Sequence, residues 1–258
     1  MIRGIERRKI FRDDADRDNL LERLAHLLSE TQTRCYAWAL MPNHAHFLFR
    51  SGPAGLPTLM RRLLTGYAVS FNNRHKRHGQ LFQNRYKSII CQEDLYLNEL
   101  VRYIHLNPLR GKLVSDFERL GRYPFCGHGV LLGHRDRSWQ NTDYVLGFFG
   151  KTLRTSRKKY LAYVKKGIEL GRREDLIGGG LIRSLGGWEA VKREQRKSAR
   201  RVKGDERILG DSDFVENVLF EAKESLNRHY NLRRSGYDFQ KIANRVGELM
   251  DLEPMPLT

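Results

Sequence analysis

Leu20, Leu21, Leu24, Leu27 and Leu28 fall on one stripe of a 3.6-residue period behind Asp16 or Asp18, either of which can cap a helix. From residue 34 the period changes to two. Tyr36, Trp38 and Leu40 alternate with Ala37 and Ala39, and then His44, His46 and Leu48 alternate with Ala45, Phe47 and Phe49. Two strands joined by a turn at Pro42-Asn43 are predicted. Residues 59–73 read as a helix with Leu63, Leu64, Tyr67 and Phe71 inward, followed by a turn at 75–79 and a strand over 82–91. A helix over 93–106 carries Leu97, Leu100, Val101 and Ile104 on its apolar side, with Pro108 ending it. Residues 121–133 hold Pro124 and four glycines, and this loop-rich stretch is read as a domain edge. Beyond it, helices are expected over 142–149, 156–168, 188–201 and 213–230, with a glycine joint at 178–180, so the second half reads as helix and loop alone.

Composition narrows the partners. The 258 residues are 40% hydrophobic and 10% aromatic, enough for a sizeable core. Net charge is +17, which points to a polyanion. A membrane is disfavoured, because no apolar run approaches the roughly 18 residues of a spanning helix and no signal-peptide pattern opens the chain. Nucleic acid is the leading partner class. Cys35, Cys91 and Cys126 form no metal-ligand spacing and an odd count, which suits a reducing cytosol, so a cytoplasmic, nucleoid-associated protein is expected.

The charge is not spread evenly. Residues 1–150 sum to +9, residues 151–204 to +12 and residues 205–258 to −4. Within the first block, residues 51–92 hold Arg61, Arg62, Arg74, Lys76, Arg77, Arg85 and Lys87 with no acidic residue among them. A solvated helix face normally mixes both signs, so phosphate contact is the preferred reading of this run. Arg157, Lys158 and Lys159 open the basic helix of the second block and are assigned to DNA as well.

The candidate chemistry lies between these blocks. His44 and His46 stand two apart on a strand and therefore on one face, where two imidazoles can meet one metal ion; the bland alternative is a polar strand face. Tyr103 and Asn107 stand one helical turn apart and share a face. If that face abuts the histidines, Asn107 can complete a ligand set while Tyr103 stands beside it, and a metal-polarised phosphoryl group attacked by the tyrosine is the chemistry such a set could perform. Taken alone, Tyr103 reads as a core residue rather than a nucleophile, and Tyr86 and Tyr96 compete for the role. His105 lies on a different face from Tyr103 and reads as structural or DNA-facing, and His75 and His78 read as phosphate contacts.

The segments MPNHAHFLF (41–49), GQLFQNRYKS (79–88) and LVRYIHLNPLRGKLV (100–114), in this order, closely resemble the single-tyrosine HUH transposases, in particular the REP-associated tyrosine transposase-like branch. The resemblance covers roughly residues 1–125. It implies an α+β, ferredoxin-like domain with a central antiparallel sheet, to which the residue pattern beyond adds an all-helical extension. It also implies a metal-dependent endonuclease and strand transferase acting on single-stranded or hairpin DNA. By the family's pattern His44 and His46 are metal ligands, Asn107 is a third, helix-borne ligand, Tyr103 is the nucleophile that forms a 5′-phosphotyrosine, the metal is Mg2+ or Mn2+, and a homodimer is expected. A domesticated repeat-binding protein without strand transfer is the alternative.

Three segments follow from this reading: a transposase domain over 1–125, a basic helical DNA-binding extension over 126–204, and a helical segment over 205–258. Relatives usually begin with a longer first strand leading into the Arg3-Gly4 pair, so a shortened first strand is expected. Residues 239–252 are similar to the opening of a DnaA-type helix-turn-helix.

Overall fold

A computed structural model describes residues 1–171, 173, 176, 205 and 207–234. The expected helix at 188–201, the glycine joint and the DnaA-like segment lie outside these residues. Within them the chain is α+β around an antiparallel sheet. The elements are β1 (Ile2–Arg3), α1 (Asp14–Glu30), β2 (Arg34–Met41), β3 (His44–Arg50), α2 (Leu56–Arg74), β4 (Ile90–Cys91), α3 (Glu93–Arg110), α4 (Phe117–Arg122), α5 (His128–Leu132), α6 (Thr142–Gly147), α7 (Leu153–Lys166), β5 (Ile208–Leu209) and α8 (Ser212–Arg234).

The sheet has the order β1-β3-β2, with every pairing antiparallel. The Pro42-Asn43 turn sets the β2–β3 register, which places Met41 opposite His44 and Ala39 opposite His46. Residues 81–83 lie along the free edge of β1, where Ile5 donates to the Leu81 carbonyl and Gln83 to that of Arg3, and Gly4 bridges Phe82. This gives the order (81–83)-β1-β3-β2 with helices between, which is the ferredoxin-like arrangement. The strand expected over 82–91 is therefore divided. Its start completes the sheet, whereas Ile90–Cys91 turns away and pairs in parallel with Ile208–Leu209, a strand where only helix and loop were expected.

β2 is buried on both faces apart from Arg34. Cys35, Trp38, Leu40, Ala45, Phe47 and Phe49 pack against the leucines of α1 and against Leu59, Leu63, Tyr67 and Phe71 of α2. The other face, with Ala37 and Ala39, receives Leu97, Val101 and Ile104 of α3, then Leu120, Leu131, Leu146, Tyr160 and Val164. A register shift between Cys35 and Ala37 accounts for Tyr36 and Ala37 joining the same layer.

The glycine-rich stretch expected at a domain edge is packed into this second layer. Leu40 donates to the Phe125 carbonyl and Gly127 to that of Trp38, so the chain runs along the open edge of β2. Buried Gln140 accepts from Trp38 Nε1 at 2.8 Å and donates to the carbonyls of Tyr36 and Gly127. A side chain at Gly127 would collide with Gln140 and His105, at 2.7 and 2.9 Å from an added Cβ, so this position must be glycine for the layers to close. α3 does not stop at Pro108 but runs to Arg110 with the proline inside its last turn.

Candidate active site

The two histidines are displayed by β3 on the face toward α3, while Ala45, Phe47 and Phe49 take the opposite face. The Phe47 and Phe49 rings stack 5.2 Å apart in the first layer. The strand's period of two thus divides packing from chemistry. The His44 and His46 rings lie 5.1 Å apart, edge to face. Tyr103 of α3 presents its ring edge to face with His46 at 6.1 Å. Asn107 follows one turn later, its side chain half-buried and its Nδ2 buried without a hydrogen-bond partner. Arg110, one further position along the same side of the helix, lies over the Tyr103 ring, its guanidinium carbon 5.6 Å from the ring centre.

Electrostatics hold the imidazoles neutral. Burial, with Arg3 and the chain's ammonium terminus nearby, pulls His44 down to about 4, and burial with His44 beside it pulls His46 down to about 3. A neutral imidazole has a lone pair for a metal ion, so near neutral pH both rings are in the ligating form. The tautomer of His44 is also set. Asn43 Nδ2 donates to the Arg7 carbonyl at 3.0 Å, which turns Asn43 Oδ1 toward His44 Nδ1 at 2.6 Å. Nδ1 then carries the proton and Nε2 is left as the donor.

These residues fit a divalent ion. Two neutral imidazoles on one strand face and, one helical turn beyond Tyr103, a carboxamide with an unsatisfied buried atom are a donor set of suitable chemistry, since rotating the Asn107 amide exchanges its oxygen for the unpartnered nitrogen. Among the described residues, no group of three or more His, Cys, Asp and Glu residues comes together.

The competing tyrosines have other settings. Tyr86 packs against the first layer, and Tyr96 lies with Leu100 and Leu209 in a small cluster that also touches Tyr103. His105 is fully buried, its Nδ1 2.8 Å from the Tyr160 hydroxyl, which also lies 2.7 Å from His128 Nδ1. One imidazole donates to that hydroxyl and the other accepts from it, so α3, α5 and α7 are joined by one polar pin. His105 is therefore interior and not DNA-facing.

The basic run over 51–92 changes character in three dimensions. Arg74 pairs with Asp13 and Asp16 of the α1 entry, with contacts of 2.7 and 2.8 Å to Asp13, and His75 reaches Asp16 at 2.9 Å. Arg62 pairs with Glu30 at the other end of α1. A sequence window without acids is thus not a surface without acids. Arg77 bonds Asn72 and the Gln80 carbonyl, and Arg157 turns inward to the Leu131 carbonyl at 3.2 Å. Arg61, Lys76, Arg85, Lys87, Lys158 and Lys159 are exposed.

Asn43 and Arg110 are the residues that sequence reasoning passed over. Asn43 was absorbed into a turn signal, and the signal available was its position beside the first histidine. Arg110 sits at i+7 from Tyr103, two turns along the same face, yet reads as an ordinary basic residue at a helix end.

No helix among the described residues is long and apolar enough to cross a membrane. No curated protein matches the chain. A solved structure of a REP-associated tyrosine transposase bound to a REP hairpin is similar to it at 15% identity, covering 54% of this chain and 87% of that one with a TM-score of 0.40. Residues 1–107, a span that contains the sheet, both histidines, Tyr103 and Asn107, match the family described as "Transposase IS200 like".

Proposed function

We propose that the chain cleaves and rejoins single-stranded or hairpin DNA through Tyr103. The observation that carries this reading is the Tyr103 ring lying against His46, with His44 on the same face of the strand and Asn107 one helical turn beyond the tyrosine. The match of residues 1–107 to a transposase family supports DNA processing as the relevant chemistry.

In the cleavage step the Tyr103 Oη forms a bond to phosphorus and the bond from phosphorus to the 3′ oxygen breaks. The phenolic proton is transferred, in net terms, to the departing 3′ oxygen. The products are a 5′-phosphotyrosine and a free 3′-hydroxyl, and reversal with a second 3′-hydroxyl joins strands without an external energy source. Mg2+ or Mn2+ bound by His44, His46 and Asn107 would supply Lewis-acid polarisation of a phosphoryl oxygen. Asn43 keeps His44 in one tautomer, and the stacked Phe47 and Phe49 on the far face of β3 hold the strand that presents both rings.

The test is incubation of the full chain with labelled hairpin-bearing single strands and Mg2+ or Mn2+, followed by a denaturing gel. A covalent protein–DNA adduct is expected, and Tyr103→Phe is expected to abolish it while leaving hairpin binding in place. An adduct that persists in Tyr103→Phe overturns the assignment. Binding with no adduct in the unaltered protein identifies instead a repeat-binding protein without strand transfer.

A further inference from the structure

Arg110 is a half-buried cation that has no counter-anion among the described residues. Its Nη2 donates to the Gly167 carbonyl at 3.1 Å, but its Nε and Nη1 are buried with no hydrogen-bond partner. Among the described residues no carboxylate pairs with it. Glu99, the acid near this end of the layer, bonds Arg102, Arg173 and Tyr163 instead. Partial burial disfavours its charge, the phenol of Tyr103 favours it, and Arg102 and Arg173 repel it. A guanidinium with two of its nitrogens enclosed and unpartnered is costly unless an anion arrives to complete it.

We infer that Arg110 is the charge site for the scissile phosphodiester, supplying the fixed positive charge against which the attacked phosphate develops its extra negative charge. This rests on the strand-cleavage reading above and names the group that reading lacks. During attack, the Tyr103 Oη–phosphorus bond forms before the bond to the 3′ oxygen has fully broken, and negative charge rises on the two non-bridging oxygens. A preorganised cation in a poorly hydrated site counters that charge far better than one in water. Arg110 sits beneath the tyrosine ring and its open donors are sheltered from solvent. It therefore belongs to the reaction step and not to initial capture of the strand, which the exposed Arg61, Lys76, Arg85 and Lys87 can serve. Its anchor is the carbonyl that follows α7, so a segment beyond residues 1–107 holds the guanidinium that lies over the Tyr103 ring.

The experiment compares Arg110→Gln and Arg110→Lys with the unaltered full-length chain. Substrates are a labelled hairpin-bearing single strand and the same strand with a neutral methylphosphonate at the mapped cleavage position. On the natural phosphodiester, Arg110→Gln is expected to slow adduct formation by about 10²–10³-fold. Arg110→Lys is expected to fall between that variant and the unaltered chain, and hairpin affinity measured in a Tyr103→Phe background should be nearly unchanged. On the methylphosphonate the gap between unaltered protein and Arg110→Gln should collapse toward unity, because the charge to be countered is gone. The comparison between the two substrates cancels any loss of folded protein, so a merely structural role predicts the same gap on both. An equal gap, or an unaffected Arg110→Gln, overturns the inference while leaving strand cleavage by Tyr103 intact. Absence of any adduct in the unaltered chain overturns both.

Discussion

The two faces of the sheet are built from the same strands and serve different ends. Toward α1 and α2, Trp38, Leu40, Ala45, Phe47 and Phe49 meet an almost wholly apolar layer, closed by residues such as Leu20, Leu24, Leu59 and Leu63 that have no exposure. Toward α3 the layer contains His44, His46, Tyr103, Asn107, Arg110 and the pin formed by His105, His128 and Tyr160. Most of the buried polar atoms without partners gather there, on Tyr36, Asn98, His105, Asn107, Arg110 and His128, whereas the α1 side has one on Arg17. Native interiors rarely leave such atoms open, and where they do, a ligand or a special chemical role is the usual reason. One face provides the stability that lets the other keep open donors and acceptors.

The largest effect expected from breaking this division is on stability. Leu63→Ala removes a fully buried side chain from the closed face and should cost about 2–5 kcal/mol. Urea unfolding checks the cost. The adduct rate per folded molecule should be unaltered, and a parallel fall in that rate would show that the two faces are not separable.

Much of this arrangement is legible in the residue pattern, and the reasons for what is not are physical. The paired histidines are visible because a strand places i and i+2 on one face, and the partnership of Tyr103 with Asn107 is visible because a helix does so at i and i+4. The turn at Pro42-Asn43 is visible from local turn chemistry. What depends on distance between remote segments is hidden. Nothing local in residues 82–91 reveals that their start lies on the edge of β1 while Ile90 and Cys91 pair with Ile208 and Leu209. Likewise, Asp13, Asp16 and Glu30 lie dozens of residues before the arginines they neutralise, so the basic run looks uniformly available along the chain and is not so in space.

The chemical face can be sharpened through Asn43. Asn43→Ala removes the acceptor that fixes His44 Nδ1–H and should weaken Mg2+ or Mn2+ binding by about 10–100-fold, equivalent to about 1.4–2.7 kcal/mol. A metal titration of adduct formation reads the shift. Leu63→Ala should leave the metal midpoint in place, and equal midpoints for Asn43→Ala and the unaltered protein would remove Asn43 from the site.

The smallest effect concerns pH and the polar pin. Burial, with His134 nearby, pulls His128 down to about 3 in the folded chain, against an ordinary value near 6.5 when unfolded. Between these values the unfolded chain binds a proton that the folded chain refuses, so the unfolded state gains as pH falls. Stability from this group is therefore fully present above about 6.5 and declines toward about 3, with a slope of at most about 1.4 kcal/mol per pH unit. Buried His105 is shifted in the same direction, so the unaltered protein should lose stability more steeply than one proton allows. His128→Gln keeps a polar group near Tyr160 but cannot titrate, and should lower the slope of urea-unfolding free energy against pH between 6.5 and 4.5 by about one proton. The Leu63→Ala variant should keep the full slope while its whole curve shifts downward. A slope unchanged in His128→Gln would mean that the acid sensitivity arises elsewhere. A changed slope in Leu63→Ala would mean that the apolar face, and not the polar one, senses pH.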